Sequence, residues 1–171
     1  MNLKNMKAFI INLKRSPERL EKMQKKLAAF PSIKYERCDA VDGKLVKFGK
    51  RECNAKLYES RHGKYITSTE IACYVSHYEV LKKFLKSKAE FALILEDDME
   101  FVPAFTEILE ECLAASDKWD LLKLNGNHRA CPITQGQILG GLYRLVFNLF
   151  HQGKSGAYLI NRKPSDKGLL K

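Results

Sequence analysis

Glu96, Asp97 and Asp98 stand in a row directly after the apolar run Phe91-Ala-Leu-Ile-Leu95. Three adjacent carboxylates at the end of a buried segment repel one another, and they cost free energy unless a cation or a basic partner faces them. A hard divalent ion, Mn²⁺ or Mg²⁺, takes carboxylate oxygens, keeps positions open and bridges to a diphosphate. The same triplet also suits an exposed acidic turn ahead of a helix, where negative charge meets the positive end of the helix dipole. A second group is Asn12-Leu-Lys-Arg-Ser-Pro-Glu-Arg19. Backbone N–H groups at a strand-to-helix turn, with Arg15 and Arg19 beside them, suit a phosphate or a uracil-type base. The plainer reading makes both arginines solvent-facing charges. A third group is Glu70-Ile-Ala-Cys-Tyr-Val-Ser-His77. Glu70, Cys73 and His77 recur at i, i+3 and i+7 on one helix face, so His77 can approach a ligand. The alternatives are a satisfied interior His77, a packing Cys73, and a Glu70 that is half of a helix cap.

The elements that must position these groups are readable nearby. Lys7-Ala-Phe-Ile-Ile-Asn-Leu13 is a short apolar run, and Ser16-Pro17-Glu18 supplies an N-cap, a first-turn proline and an early acid. Leu20, Met23 and Leu27 continue at helical spacing until Phe30-Pro31. A second strand fits residues 35–41, closed by the turn pair Asp42-Gly43. Residues 44–65 are polar and aperiodic and read as a long surface loop. Thr67-Ser-Thr-Glu70 is a capping box that opens an amphipathic helix through Ile71, Val75, Tyr78, Leu81 and Leu85. After the acidic triplet a helix begins near Pro103 and turns Phe105, Ile108, Leu109 and Cys112 inward. Further strands fit residues 119–124 and 142–150, and Gly156-Ala-Tyr-Leu-Ile160 is a last apolar segment. Strands alternating with helices imply an α/β fold with a mostly parallel sheet flanked by helices, with ligands at the strands' carboxyl ends.

The 171 residues are enough for one domain with its own core, and 45% hydrophobic with 29% charged residues excludes a disordered chain. The net charge of +10 is lopsided: residues 1–90 hold 21 Lys and Arg against 10 Asp and Glu, whereas residues 91–171 hold 9 against 10. Such a field attracts nucleotide diphosphates, nucleic acid or an anionic membrane surface without choosing among them. No helix-turn-helix, zinc-finger or RNP-type pattern is present, so no specific nucleic acid is expected, although a basic nucleic-acid-binding module is the rival class. Five cysteines, odd in number and without CxxC spacing, read as reduced, buried thiols of a cytosolic protein. No stretch approaches the length needed to span a bilayer, so neither export through a standard signal nor a helical anchor is expected.

Taken in order, the blocks resemble glycosyltransferase family 25, which includes lipooligosaccharide galactosyltransferases and collagen galactosyltransferase domains. Phe9-Ile-Ile-Asn-Leu-Lys-Arg-Ser-Pro-Glu-Arg19 resembles the family's opening, Ala40-Val-Asp-Gly43 its second block, Thr69-Glu-Ile-Ala-Cys-Tyr-Val-Ser-His77 its third, Ala92-Leu-Ile-Leu-Glu-Asp-Asp98 its metal motif and Gly156-Ala-Tyr-Leu-Ile160 a later one. The resemblance, over about residues 7–162, implies a single Rossmann-like GT-A domain and a metal-dependent hexosyltransferase of bacterial lipopolysaccharide biosynthesis. It implies a UDP-sugar donor, commonly UDP-galactose, with Mn²⁺ or Mg²⁺. Asp98 and Glu96 match the outer acids of the metal motif and are the expected metal ligands, with Asp98 the better of the two and Glu96 or Asp97 facing the donor sugar or ribose. Asn12, Arg15 and Arg19 are expected to line the nucleotide, with Asp42 beside it and Ser76 and His77 near the donor pocket. Asp97, Glu100 and a C-terminal segment are the candidates for catalytic base. The expected acceptor is a lipid-linked saccharide met at the cytoplasmic face of an inner membrane. Family members continue beyond the Gly156 block, whereas residues 161–171 are short and polar, so the chain is expected to be truncated on its acceptor side. A catalytically impaired remnant that binds nucleotide or a partner is the alternative within the same fold.

Overall fold

The computed structural model describes residues 3–49, 52–126, 131–150 and 153–162. The expected C-terminal tail lies outside them, apart from Asn161 and Arg162. Among the described residues five strands form one sheet in the order β2-β1-β3-β7-β4, comprising β1 (Met6–Asn12), β2 (Tyr35–Asp39), β3 (Phe91–Glu96), β4 (Leu121–Lys123) and β7 (Ala157–Asn161). β1 runs parallel to both β2 and β3, and β7 is inserted antiparallel to β3 and β4. The mostly parallel α/β architecture is as expected.

Period-two alternation explains why the strands read as unbroken apolar runs, since both faces of the sheet are covered. On one face Ala8, Ile10, Leu93, Leu95 and Leu159 meet Met23 and Leu27 of α1 (Pro17–Leu27) and Leu109 and Leu113 of α4 (Phe105–Ala114). On the other, Phe9, Ile11, Ala92, Ile94 and Ile160 meet Val80 and Phe84 of α3 (Ser68–Lys86). The chain leaves β1 through α1 to reach β2 on one side, then crosses the opposite face through α3 to reach β3. The carboxyl ends of β1 and β3 therefore flank a topological switch point, where open α/β sheets hold ligands.

Several expectations are corrected. The segment read as a loop over 44–65 contains α2 (Ala55–His62), capped by Asn54 and ended by left-handed Gly63; it buries no residue, so no apolar stripe betrayed it. The strand expected over 142–150 is β6 (Tyr143–Asn148), paired with β5 (Pro132–Ile138) in a separate two-stranded ladder. That ladder lies against α4, where Glu111 accepts from the Leu139 N–H at 2.6 Å. The strand expected over 119–124 shrinks to β4, while Trp119 is buried and its indole donates to the Cys112 carbonyl. Ser16 occupies the N-cap position of α1 but its hydroxyl makes no capping bond. Cys38 and Cys112 are buried as expected, but Cys73 and Cys131 are exposed. No helix among the described residues is long and apolar enough to cross a membrane.

Candidate functional site

The acidic triplet follows the pleat and is split by it. Glu96 continues the side of β3 that faces α3, whereas Asp97 turns with Asn12 toward α1. On the α1 side Arg19 Nη2 pairs with Asp97 Oδ1 at 2.5 Å and with Asp98 Oδ2 at 3.0 Å. Asn12 Nδ2 donates to Asp97 Oδ2 at 2.6 Å, and Arg37 Nε donates to Asn12 Oδ1 at 3.0 Å. Asp97 is 7% exposed in its side chain and Asp98 54%. The positive partners that three adjacent carboxylates demand are thus supplied in part by the protein itself. The alternative of an acidic helix cap is not realised, since α4 begins at an Ala104 N-cap with no side-chain bond.

On the α3 side His77 Nε2 lies 3.1 Å from Glu96 Oε1, and its Nδ1 lies 2.8 Å from the Tyr158 hydroxyl. Cys73 Sγ reaches the same Glu96 oxygen at 3.9 Å. Burial works to lower the His77 pKa, but its hydrogen bonds to Cys73 and Glu96 outweigh burial and hold it up at about 9. The hydrogen bond from His77 in turn lowers the Glu96 carboxyl against the opposing effect of burial. Burial pushes the Tyr158 phenol up. Near neutral pH a protonated His77 therefore donates to both Glu96 and Tyr158.

These groups border an open cleft of about 630 Å³, open solvent included, at the carboxyl ends of β1 and β3. Its walls include Arg15, Arg19, Asp42, Ser76, His77, Glu96 and Asp97, which brings together most of the residues expected to meet a donor. Asn12 is not among them: it lies buried beneath, holding Asp97. Asp98 sits at the rim beside Arg19, and Glu100 is exposed and paired with Lys26 on α1. Arg15 Nε donates to Asp42 Oδ2 at 2.5 Å, and the Lys44 N–H followed by Arg15 keeps the Asp42 carboxyl below its ordinary value. Ser76 is structural as well as lining: its Oγ accepts from the Val41 N–H at 2.8 Å and donates to the Ala72 carbonyl at 2.7 Å. That bond ties the segment after β2 to α3. Gly43 tightens the same seam, because a Cβ there would stand 2.6 Å from the Ser68 carbonyl oxygen.

Lys44, Thr69 and Cys73 line the cleft without being among the residues expected to meet a donor. Lys44 borders the cleft from the start of the segment expected to be a surface loop, and Cys73 is not packing but lines the wall one helical turn before His77. The i, i+4 spacing of Cys73 and His77 was the available signal. Glu70 stays out of the cleft, completing the capping box with Thr67 and pairing with Lys64.

The sequence pattern described as "Glycosyltransferase family 25 (LPS biosynthesis protein)" matches residues 5–153. Among curated relatives, procollagen galactosyltransferase 1-B of Xenopus laevis is 32% identical over 168 residues, covering 93% of this chain and 27% of the relative. A glycosyltransferase 25 family member of Drosophila melanogaster is 39% identical over 106 residues, 58% of this chain and 17% of its own. Procollagen galactosyltransferase 2 of Homo sapiens is 30% identical over 123 residues, 67% of this chain and 20% of its own. The chain thus spans about a quarter or less of the length of these relatives. The family pattern covers both strand ends and the helix that build the cleft, and the chain belongs to glycosyltransferase family 25.

Proposed function

We propose that this chain binds a UDP-sugar in the cleft and transfers its hexose, galactose first among the candidates, to a saccharide acceptor of lipooligosaccharide type. The observation that carries the reading is the convergence of Arg15, Arg19, Asp42, Ser76 and His77 on one cleft at the carboxyl ends of β1 and β3 in a family 25 chain. The names of the animal relatives support galactose as the sugar and also direct attention to a procollagen acceptor. In the reaction an acceptor hydroxyl oxygen bonds to the anomeric carbon while the bond from that carbon to the diphosphate oxygen breaks. The hydroxyl proton passes to a carboxylate, and UDP leaves. Of the two residues nominated as base, Asp97 lines the cleft whereas Glu100 does not, and Arg19 and Asn12 hold the Asp97 carboxylate in place there.

The residues present fit a hard divalent ion. Mg²⁺-class ions are commonly held by one or two carboxylates plus substrate phosphates, and Asp98 offers a half-exposed carboxylate at the rim. Asp98 would hold the ion, which would supply neutralisation of the charge on the leaving diphosphate. Glu96, turned toward His77, would instead meet the donor sugar or ribose, and Arg19 would swing between Asp98 and a phosphate.

Calorimetry with UDP-galactose, with and without Mn²⁺, tests the reading on wild type and Asp98→Ala. Mn²⁺ is expected to strengthen binding to wild type at least tenfold and to leave Asp98→Ala unchanged. No affinity for UDP-galactose in either condition sinks it. Supplying a lactose-like saccharide and a collagen peptide in parallel then discriminates the acceptors by which one gains labelled hexose.

A further inference from the structure

The α3 wall of the cleft holds a cluster of metal-ligating side chains that the donor reading does not use as one. Cys73 Sγ, a ring nitrogen of His77 and a Glu96 carboxylate oxygen all lie within 4.8 Å of one another. We propose that Cys73, His77 and Glu96 form a three-ligand site for a thiophilic divalent ion of the Zn²⁺ class, with its fourth position open to the cleft. The site is distinct from the hard-ion position at Asp98.

Four observations carry this. The ligand set is one thiol, one imidazole and one carboxylate, which favours zinc and its borderline neighbours over the oxygen-seeking Mg²⁺ or Mn²⁺. The spacing fits as well. Zinc bonds of about 2.0–2.3 Å at tetrahedral angles set ligand atoms roughly 3.3–3.7 Å apart. Here His77 Nε2 and Glu96 Oε1 are 3.1 Å apart, Cys73 Sγ and the same oxygen 3.9 Å, and the thiol and the imidazole lie within 4.8 Å, so shifts of about an ångström or less bring the three to a common ion. The outer support is in place too: with Nε2 turned to an ion, His77 Nδ1–H donates to the Tyr158 hydroxyl at 2.8 Å, the kind of second partner that fixes a metal-binding imidazole. Finally, the framework is rigid and the entrance free. His77 and Cys73 sit one turn apart on a capped 19-residue helix, Glu96 ends a central strand, and Cys73 is exposed at the cleft wall. On binding, the ion takes the place of the Nε2 proton that bridges His77 to Glu96 and of the Cys73 thiol proton; both protons go to solvent.

The test uses the full chain, Co²⁺ as a spectroscopic substitute for zinc, and no nucleotide. Wild type is expected to develop a near-ultraviolet thiolate-to-cobalt band together with the intense visible bands of a tetrahedral site, bleached by an equivalent of Zn²⁺. Cys73→Ser and Glu96→Gln should each lose the thiolate band or weaken Co²⁺ binding at least tenfold. Tyr158→Phe should weaken it by about 10-fold while keeping the spectrum. Because Cys53 and Cys131 are also free thiols, their double serine variant is included and should bind as wild type does. Asp98→Ala should also keep the cobalt spectrum, so failure of the donor reading and failure of this site are told apart. An absent thiolate band in wild type, or one that survives in Cys73→Ser, overturns the proposal. Cys73 is exposed, so its serine variant is not expected to disturb the fold, and an unchanged far-ultraviolet spectrum checks this.

Discussion

Replacing Asn12 by alanine removes three hydrogen bonds at once: to the Asp97 carboxylate, to the Ser16 carbonyl and from Arg37. The buried Asp97 then keeps its pairing with Arg19, and unfolding in urea should show a loss of about 2–3 kcal/mol, the range for stripping a partner from a buried charged group. His77 gives a prediction with a sign. Its folded pKa of about 9 lies above the ordinary 6.5, so the native state holds a proton that the unfolded chain releases between those values. Stability from this group is complete below pH 6.5 and declines as pH rises through 9, by on the order of 2 kcal/mol. Glu96 works in the opposite sense: its lowered pKa contributes above the ordinary carboxylate value and is lost as acid protonates it. Denaturant titrations of wild type and His77→Gln should therefore stand furthest apart at and just below pH 6.5 and converge above pH 9; parallel curves refute the pairing. At this scale much of the site was legible. An acidic triplet after an apolar run announces itself by charge, and Arg15 and Arg19 by their place at a strand end. The division of the triplet between two faces was latent in the β-period but needs the end of β3 to be fixed first, and the spacing of Cys73 places it on the face of His77 without saying whether that thiol is packed or exposed.

The helix α3 presents Cys73, Ser76 and His77 together, and its start is set by a reciprocal cap in which Thr67 Oγ1 accepts from the Glu70 N–H and Glu70 accepts from the Thr67 N–H. Lys64, with help from Thr67, brings the Glu70 pKa down to about 2. Thr67→Ala should cost about 1 kcal/mol, read as a lower Tm with no change in the far-ultraviolet spectrum at 25 °C. A steric test belongs to the neighbouring seam. Gly43→Ala drives a methyl into the Ser68 backbone, so the first turn of α3 must retreat; an expected loss of about 1–3 kcal/mol should come with weakened UDP-galactose binding. Undiminished stability would show that the seam yields freely. The elements that the sequence disclosed share a cause. β1, β3 and β7 are covered on both sides and read as apolar runs, while α3 carries its own cap. α2 and β5 stayed hidden because neither writes a pattern: α2 buries nothing, and Pro132-Ile-Thr-Gln-Gly-Gln-Ile138 mixes a proline and a glycine into a mostly exposed edge.

For the molecule as a whole, the excess of positive charge lies in the first 90 residues, which also supply Arg15, Arg19 and Lys44 to the cleft. Attraction of a diphosphate by that field is screened over about 8 Å at physiological ionic strength, so UDP affinity measured from 20 mM to 500 mM NaCl should fall severalfold. A flat profile would assign the recognition to hydrogen bonds alone. The sheet order carries a different consequence, one of timing. β7 comes last among the described strands yet is seated inside the sheet, between β3 and β4. While the polypeptide emerges from the ribosome, β3 presents a bare apolar flank until residues 157–161 arrive, and an unpaired strand flank of that kind invites pairing with other chains. A nascent product halted at residue 150 should precipitate or be retained by chaperones, whereas one that includes residues 157–162 closes this seam; synthesis and burial are thereby coupled through the arrival of β7.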